Sequence, residues 1–268
     1  MRKRKIPEKT VYYKDPLNDE FSGTNIHRTV VGDNFKYIHK NPLWRATAFL
    51  VYFLIVVPVV WFFERVLRRV KYVNRKALKK VRKQKCFFYG NHTRVLDVFT
   101  SSLMVLPKRS KVVADPDSAS LKGLKNLIQM LGALPLPTTK RGMMEFVKAM
   151  DYYQEKFHIV IYPEAHVWPF YTGVRPFTSA SFRYPVKYDA PVIAFFTVYT
   201  EPKGFLARFR KANRTIYLSD PIYPDEGLSP KEAQQNLRDK VYAFMMEKSK
   251  LSTYKVIEYI QEEQNVCE

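Results

Sequence analysis

The sequence predicts an α/β fold, with a mixed, largely parallel sheet flanked by helices and an N-terminal membrane-docking helical pair. Three observations predict it. From residue 86 onward, short β-branched and aromatic runs alternate with segments of helical spacing, the pattern of a layered α/β structure. Ahead of them, Ala46 to Phe63 runs 18 residues without a charge. Directly behind that run, residues 64 to 85 hold 11 Lys or Arg and one acid. The chain accordingly divides into an N-terminal extension (1–40), an anchoring segment (41–84) and an α/β domain (85–268).

Taken in order, the apolar run comes first. At about 1.5 Å rise per residue it forms a helix of roughly 27 Å, close to the hydrocarbon thickness of a bilayer. Pro58 predicts a kink in it. Trp44, Trp61 and Phe62 lie near its ends, where interfacial aromatics are expected. The competing reading is a buried core helix of a soluble protein. In residues 64–85, Val66, Val70, Val73, Ala77 and Val81 recur at threes and fours, so the spacing predicts an amphipathic helix with one apolar stripe and a cationic remainder. Residues 1–45 carry ten Lys or Arg against five acids, so both flanks of the apolar run are basic. A monotopic anchor with both flanks on the cytoplasmic face accommodates that better than a full span.

Beyond residue 85, Cys86 to Tyr89 reads as a buried strand ending at Gly90, and Val95 to Leu106 as a helix. Lys111 to Ala114 is a second strand candidate. Leu121, Leu124, Ile128 and Leu131 follow helical spacing, as do Met143, Phe146, Val147 and Met150. His158 to Tyr162, Pro191 to Tyr199 and Arg214 to Ser219 read as strands. Ser229, Pro230 and Glu232 supply an N-cap, a first-turn proline and a capping-box acid for a C-terminal helix faced by Ala233, Leu237, Val241 and Phe244.

Composition narrows the partners. The 268 residues carry 45 Lys plus Arg against 25 Asp plus Glu, a net charge of +20. Nucleic acid, an anionic membrane or acidic ligands could each match that charge. The apolar run beside the cations favours a membrane surface over nucleic acid. Lys203 to Arg214, where Phe205, Leu206 and Phe209 interleave with cations, suits an interfacial loop or a nucleic-acid site alike. Two cysteines, Cys86 and Cys267, are too few for a disulfide scaffold or a Cys-based zinc site, and no metal is expected. The sequence holds no Gly-x-Ser-x-Gly elbow, P-loop, dinucleotide fingerprint or His-Glu-x-x-His motif.

Function in such folds gathers beyond the carboxyl ends of strands. After the first strand comes Asn91-His92-Thr93-Arg94-Val95-Leu96-Asp97. His92 and Asp97 are five apart, and neither an unbroken helix nor a strand brings such a pair together. They meet if His92 lies on the turn and Asp97 in the first turns of the helix. Asp97 then fixes the imidazole tautomer and His92 serves as general base. A His capping the helix beside an unrelated acid is the bland alternative. After the strand at 158–162 comes Pro163-Glu164-Ala165-His166, and between the two lies Gly132 to Pro137 followed by Lys140 and Arg141.

In order, Asn-His-x4-Asp, a glycine-containing loop with nearby cations, Pro-Glu after a strand, and the Pro-Val-Ile strand at 191–193 resemble the glycerolipid acyltransferase family, of the 1-acylglycerol-3-phosphate acyltransferase type. The resemblance covers about residues 80–225. It implies that 85–268 is the acyltransferase domain, and that a fatty acyl group passes from a coenzyme A or acyl carrier protein thioester to a lysophospholipid hydroxyl. His92 would be the base and Asp97 its orienter. Asn91, Glu164, His166, Arg141 and Arg175 would serve the acceptor. No cofactor is implied beyond the thioester donor, and the partners are a phospholipid membrane, the lysophospholipid and the donor, with no nucleic acid. The family's Pro-Glu-Gly-Thr-Arg block reads Pro163-Glu164-Ala165-His166-Val167 here, and its second-block Arg falls on Thr138, so Arg141 or Arg175 is expected to stand in. Two other readings stay open: a non-catalytic basic membrane- or nucleic-acid-binding protein, and a lipid hydrolase that uses the same dyad on water.

Overall fold

The molecule is described by a computed structural model over residues 6–21, 31–33, 35–116 and 125–262. Its centre is a seven-stranded sheet of β2 (Lys71–Val73), β3 (Phe87–Gly90), β4 (Ser110–Ala114), β5 (Ala133–Pro135), β6 (His158–Ile161), β7 (Val192–Thr200) and β8 (Asn213–Leu218). Their spatial order is β2-β8-β7-β3-β6-β4-β5, and the β7–β8 pair is the antiparallel one. The mixed, largely parallel sheet expected from sequence is therefore present. A separate parallel pair joins β1 (Lys9–Tyr13) to β9 (Ile257–Gln261) near the two ends of the chain.

Neighbouring strand residues serve opposite faces. Phe87, Tyr89, Ile159, Ile161 and Val192 enter the core shared with Phe146 and with Leu237 and Val241. Phe88, Val160 and Ile193 enter the other, with Met104, Ala77 and Val81. This two-sided burial explains why the central strands read as continuous apolar runs. Gly90 is required where β3 ends, because a Cβ there would sit 2.1 Å from the Phe195 ring on the neighbouring strand.

The N-terminal region departs from expectation. One continuous helix, α1 (Pro42–Leu67), covers the apolar run and continues past it. Asn41 caps its start, accepting from the Leu43 and Trp44 amides. It runs through Pro58, preceded by wider π turns at Val51–Val56 that accommodate the missing N–H. The second, amphipathic helix expected over 64–85 does not form as one element. Left-handed residues at Arg69 (φ 53°) and Asn74 (φ 62°) break it, and between them β2 pairs with β8. Only the short α2 (Lys76–Val81) remains helical. Of the expected apolar stripe, Val70, Ala77 and Val81 are buried, while Val66 and Val73 are exposed. The docking pair thus reduces to one apolar helix, and the basic segment behind it forms the edge of the sheet.

Besides α2, the helices flanking the sheet among the described residues are α3 (Asp97–Met104), α4 (Lys125–Leu131), α5 (Lys140–Gln154) and the C-terminal α7 (Pro230–Ser249), with a short α6 (Arg183–Lys187) before β7. Ile128 and Leu131 fall in α4, whereas Leu121 and Leu124 lie outside the described residues. The capping box at Ser229 and Glu232 forms as the sequence requires.

Candidate active site

β3, β6 and β7 lie side by side and parallel around β3, so the segments leaving their carboxyl ends converge. His92 follows Gly90 on an extended turn, and Asp97 is the first residue of α3. That is the arrangement that their spacing demands. The His92 Nδ1 lies 3.7 Å from Asp97 Oδ2. This is an electrostatic contact just beyond hydrogen-bond length, of the kind that tightens when a substrate arrives. The imidazole stacks on the Tyr162 ring, with centroids 4.4 Å apart, and the Tyr162 hydroxyl donates to the Asp97 carbonyl at 2.9 Å.

The Asp97 carboxylate is fixed from several sides. Oδ2 accepts from the Thr93 and Arg94 amides at 2.9 and 2.8 Å. Oδ1 faces the Arg214 guanidinium at 3.4 Å. Burial alone would raise this carboxyl, but His92 and the Arg214 charge outweigh it and hold Asp97 below the usual carboxylate range. Arg214 in turn pairs with Glu64, which also accepts from Arg68 at 2.6 Å. Glu64 sits in the last turns of α1 and is 2% exposed. A continuous chain of charge therefore runs from the apolar helix through Arg214 and Asp97 to His92.

Asn91 is buried, and its Oδ1 accepts from the Thr197 amide of β7 at 2.8 Å, which fixes the exit of β3. Glu164 lies beyond β6 and turns back: Oε2 accepts from the His92 amide at 3.2 Å and Oε1 from the Arg175 amide at 3.1 Å. Burial pushes the Glu164 carboxyl up, opposed by Arg175. The Arg175 guanidinium is itself buried, donating to the carbonyls of Glu164 and His166 and lying over Trp168 at 4.9 Å. It braces the loop and turns away from the surface. The same loop grips the His92 segment through Trp168 N to His92 O and Phe170 N to Thr93 O, each at 3.1 Å. His166 reaches Glu20 at 3.6 Å. Arg141 stands exposed in the first turn of α5, apart from these contacts. Among the described residues, no group of three or more His, Cys, Asp or Glu side chains is placed to hold a metal ion.

Glu64, Arg214 and Tyr162 were not anticipated. Arg214 carried a signal: in β8 it alternates in step with the apolar Ile216 and Leu218, which places it on the buried face. Glu64 carried another, as the one acid among the cations of 64–85.

The acyltransferase family model matches residues 69–197, which contain His92, Asp97 and Glu164. That stretch is an acyltransferase domain. The protein is accordingly an enzyme, and the reading of a non-catalytic basic binding protein falls away. Among solved structures, the acyltransferase is similar in fold to the 1-acyl-sn-glycerophosphate (LPA) acyltransferase PlsC from Thermotoga maritima. The TM-score is 0.53 at 15% sequence identity, over 77% of this chain and 87% of that one. No curated protein matches the acyltransferase chain by sequence.

Proposed function

We propose that this acyltransferase is membrane-bound and moves a fatty acyl group from a coenzyme A or acyl carrier protein thioester to a hydroxyl of a lysophospholipid such as 1-acylglycerol-3-phosphate. The observation that carries the reading is His92 facing an Asp97 carboxylate that two amides and Arg214 hold in its charged form. In this mechanism the acceptor hydroxyl gives its proton to His92 Nε2 as its oxygen attacks the thioester carbonyl. Asp97 stabilises the imidazolium through Nδ1. The tetrahedral intermediate collapses by breaking the C–S bond, and the imidazolium returns the proton to the departing thiolate. No acyl-enzyme is required. Cys86, the nearest thiol in sequence, is buried with its thiol pushed well up by desolvation, which suits packing and not nucleophilic attack. Asn91, Glu164, His166 and Arg175 shape the wall of the site, and Arg141 is the exposed cation assigned to the acceptor's phosphate.

The helix α1 supports membrane docking from one side. Among the described residues it is the one helix long and apolar enough to cross a bilayer, with a mean hydropathy of 2.4. Yet Ala48 and Tyr52 near its start and Glu64 near its end are buried against the domain. Contacts with the domain at both ends of the helix favour one that lies along the membrane surface over one that stands across it. Leu54, Ile55, Phe62 and Phe63 remain exposed for insertion into one leaflet, and the basic flanks on both sides of the apolar run support a domain on the cytoplasmic face.

The test is to incubate the protein in lipid with labelled acyl thioester and a panel of lysolipids. Labelled diacyl product from a lysophospholipid is expected. Label released only as free fatty acid would instead identify a hydrolase.

A further inference from the structure

A cavity of about 460 Å³ lies between the first turns of α1 and the opposite side of the domain from the catalytic residues. Arg109 and Lys111 enter it from the amino end of β4, whereas His92 and Glu164 lie beyond the carboxyl ends of β3 and β6. Arg45 of α1 and Lys156 behind α5 complete the lining, with His39 at its side. Some 19 residues of helix, about 28 Å, separate Arg45 from Glu64. The cavity is thus distinct from the acyl-transfer site.

Its charge is the unusual feature. Four of the lining side chains are cationic, and among the described residues of the lining none is acidic. Lys111 is only 5% exposed. Its ammonium lies 4.2 Å from the centre of the Tyr153 ring and 5.5 Å from that of Phe157. Arg109 stacks over Tyr52 of α1 at 4.4 Å and gives one guanidinium hydrogen bond to the Met130 carbonyl, leaving its buried Nε without a partner. Burial and the Arg109 charge push the Lys111 ammonium down to about 7. Two cations desolvated side by side cost free energy that aromatic faces repay only in part. An anion entering the cavity would repay the rest.

The geometry points to a phosphate-binding pocket in which Arg45, Arg109, Lys111 and Lys156 hold the headgroup phosphate of an anionic phospholipid, a ligand separate from the substrates of acyl transfer. The lipid origin follows from position. The pocket opens beside Trp44 and Phe49, and the exposed apolar face of α1 continues from there through Leu50, Leu54 and Ile55, so acyl chains of a seated lipid have an apolar track to follow. Occupancy would tie the start of α1 to the domain, as the Glu64–Arg214 pair ties its end.

The experiment is thermal unfolding of the full chain in neutral detergent micelles, titrated separately with phosphatidylglycerol, phosphatidylcholine and inorganic phosphate. Phosphatidylglycerol is expected to raise the midpoint, and phosphatidylcholine to leave it unchanged. Lys111→Met should need at least about tenfold more phosphatidylglycerol for the same rise, since ligand stabilisation follows affinity. Without lipid it should melt no lower than the wild type, because it removes a buried charge. The surface variant Arg45→Gln, which leaves the core intact, should also weaken the response. One cation fewer among 45 hardly alters diffuse attraction of the whole molecule to an anionic micelle. An unchanged response in both variants would therefore overturn the pocket, as would the absence of any phosphatidylglycerol effect in the wild type. A rise with inorganic phosphate and none with phosphatidylglycerol would overturn the lipid as its source.

Discussion

Arg214→Met keeps a long side chain in place and removes the cation between Glu64 and Asp97. Both carboxylates are buried, at 2% and 4% exposure, and Arg214 itself is 3% exposed. Glu64 retains Arg68 at 2.6 Å, but Asp97 loses its buried cationic partner. Removing one partner of a buried ion pair leaves a charge without compensation, at a cost of about 3–5 kcal/mol. The loss carries a pH signature. Asp97 is held below the ordinary carboxylate value in the folded state, so its contribution is present above its unfolded pKa, about 3.9, and is lost as pH falls through the folded value. The variant's deficit should accordingly be full near neutrality and shrink at acid pH, where the carboxylates protonate. Urea unfolding in neutral micelles, at pH 7 and at the lowest pH where the wild type stays folded, measures both. The double variant Glu64→Gln/Arg214→Met should recover part of the loss. Turnover should fall with little change in KM, because Asp97 no longer holds His92 in register. A deficit under about 1 kcal/mol, the range of an exposed pair, or one equal at both pH values, would refute the reasoning.

Two further expectations rest on other parts of the molecule. Ala165 sits at φ 62° directly after Glu164, where a side chain costs about 1–2 kcal/mol that glycine avoids; part of that gain is offset by glycine's larger unfolded-state entropy. Ala165→Gly should therefore raise the melting temperature slightly, and a lowered midpoint would show that the loop is not strained there. Leu54→Asp/Ile55→Asp removes two exposed apolar side chains from α1. At about 1.5–3 kcal/mol each, their loss should weaken vesicle binding by roughly a hundredfold or more in co-sedimentation, with unfolding in detergent unchanged; undiminished binding would show that α1 does not dock.

Much of the fold was legible because two-sided burial leaves continuous apolar runs in β3, β6 and β7, and because Ser229 and Glu232 cap α7 by local chemistry. The His92–Asp97 pairing was legible for a geometric reason, since the spacing admits contact only across a strand-to-helix turn. The break behind α1 was not. Helical periodicity at Val70, Ala77 and Val81 persists in burial, but pairing of β2 with β8 outweighs the local helical preference, and that partner lies some 140 residues away. The same distance hid the Glu64–Arg214 pair, which no local pattern could join. Arg175 is expected, with Arg141, to stand in for the family's missing phosphate cation, whereas the backbone carbonyls of Glu164 and His166 draw its guanidinium inward. In an irregular loop, with no strand or helix period to follow, sequence gives the charge of a side chain and not the direction it faces.

The central claim is that His92, oriented by Asp97, is the base for acyl transfer. Its most direct test is the rate of labelled acyl transfer from a thioester to 1-acylglycerol-3-phosphate by the wild type and by His92→Ala in the same vesicles, with membrane binding and melting temperature measured alongside. The account predicts that His92→Ala binds and folds like the wild type but turns over at least about 10²–10⁴-fold more slowly, the range for losing a positioned base. Turnover within tenfold of the wild type would contradict it.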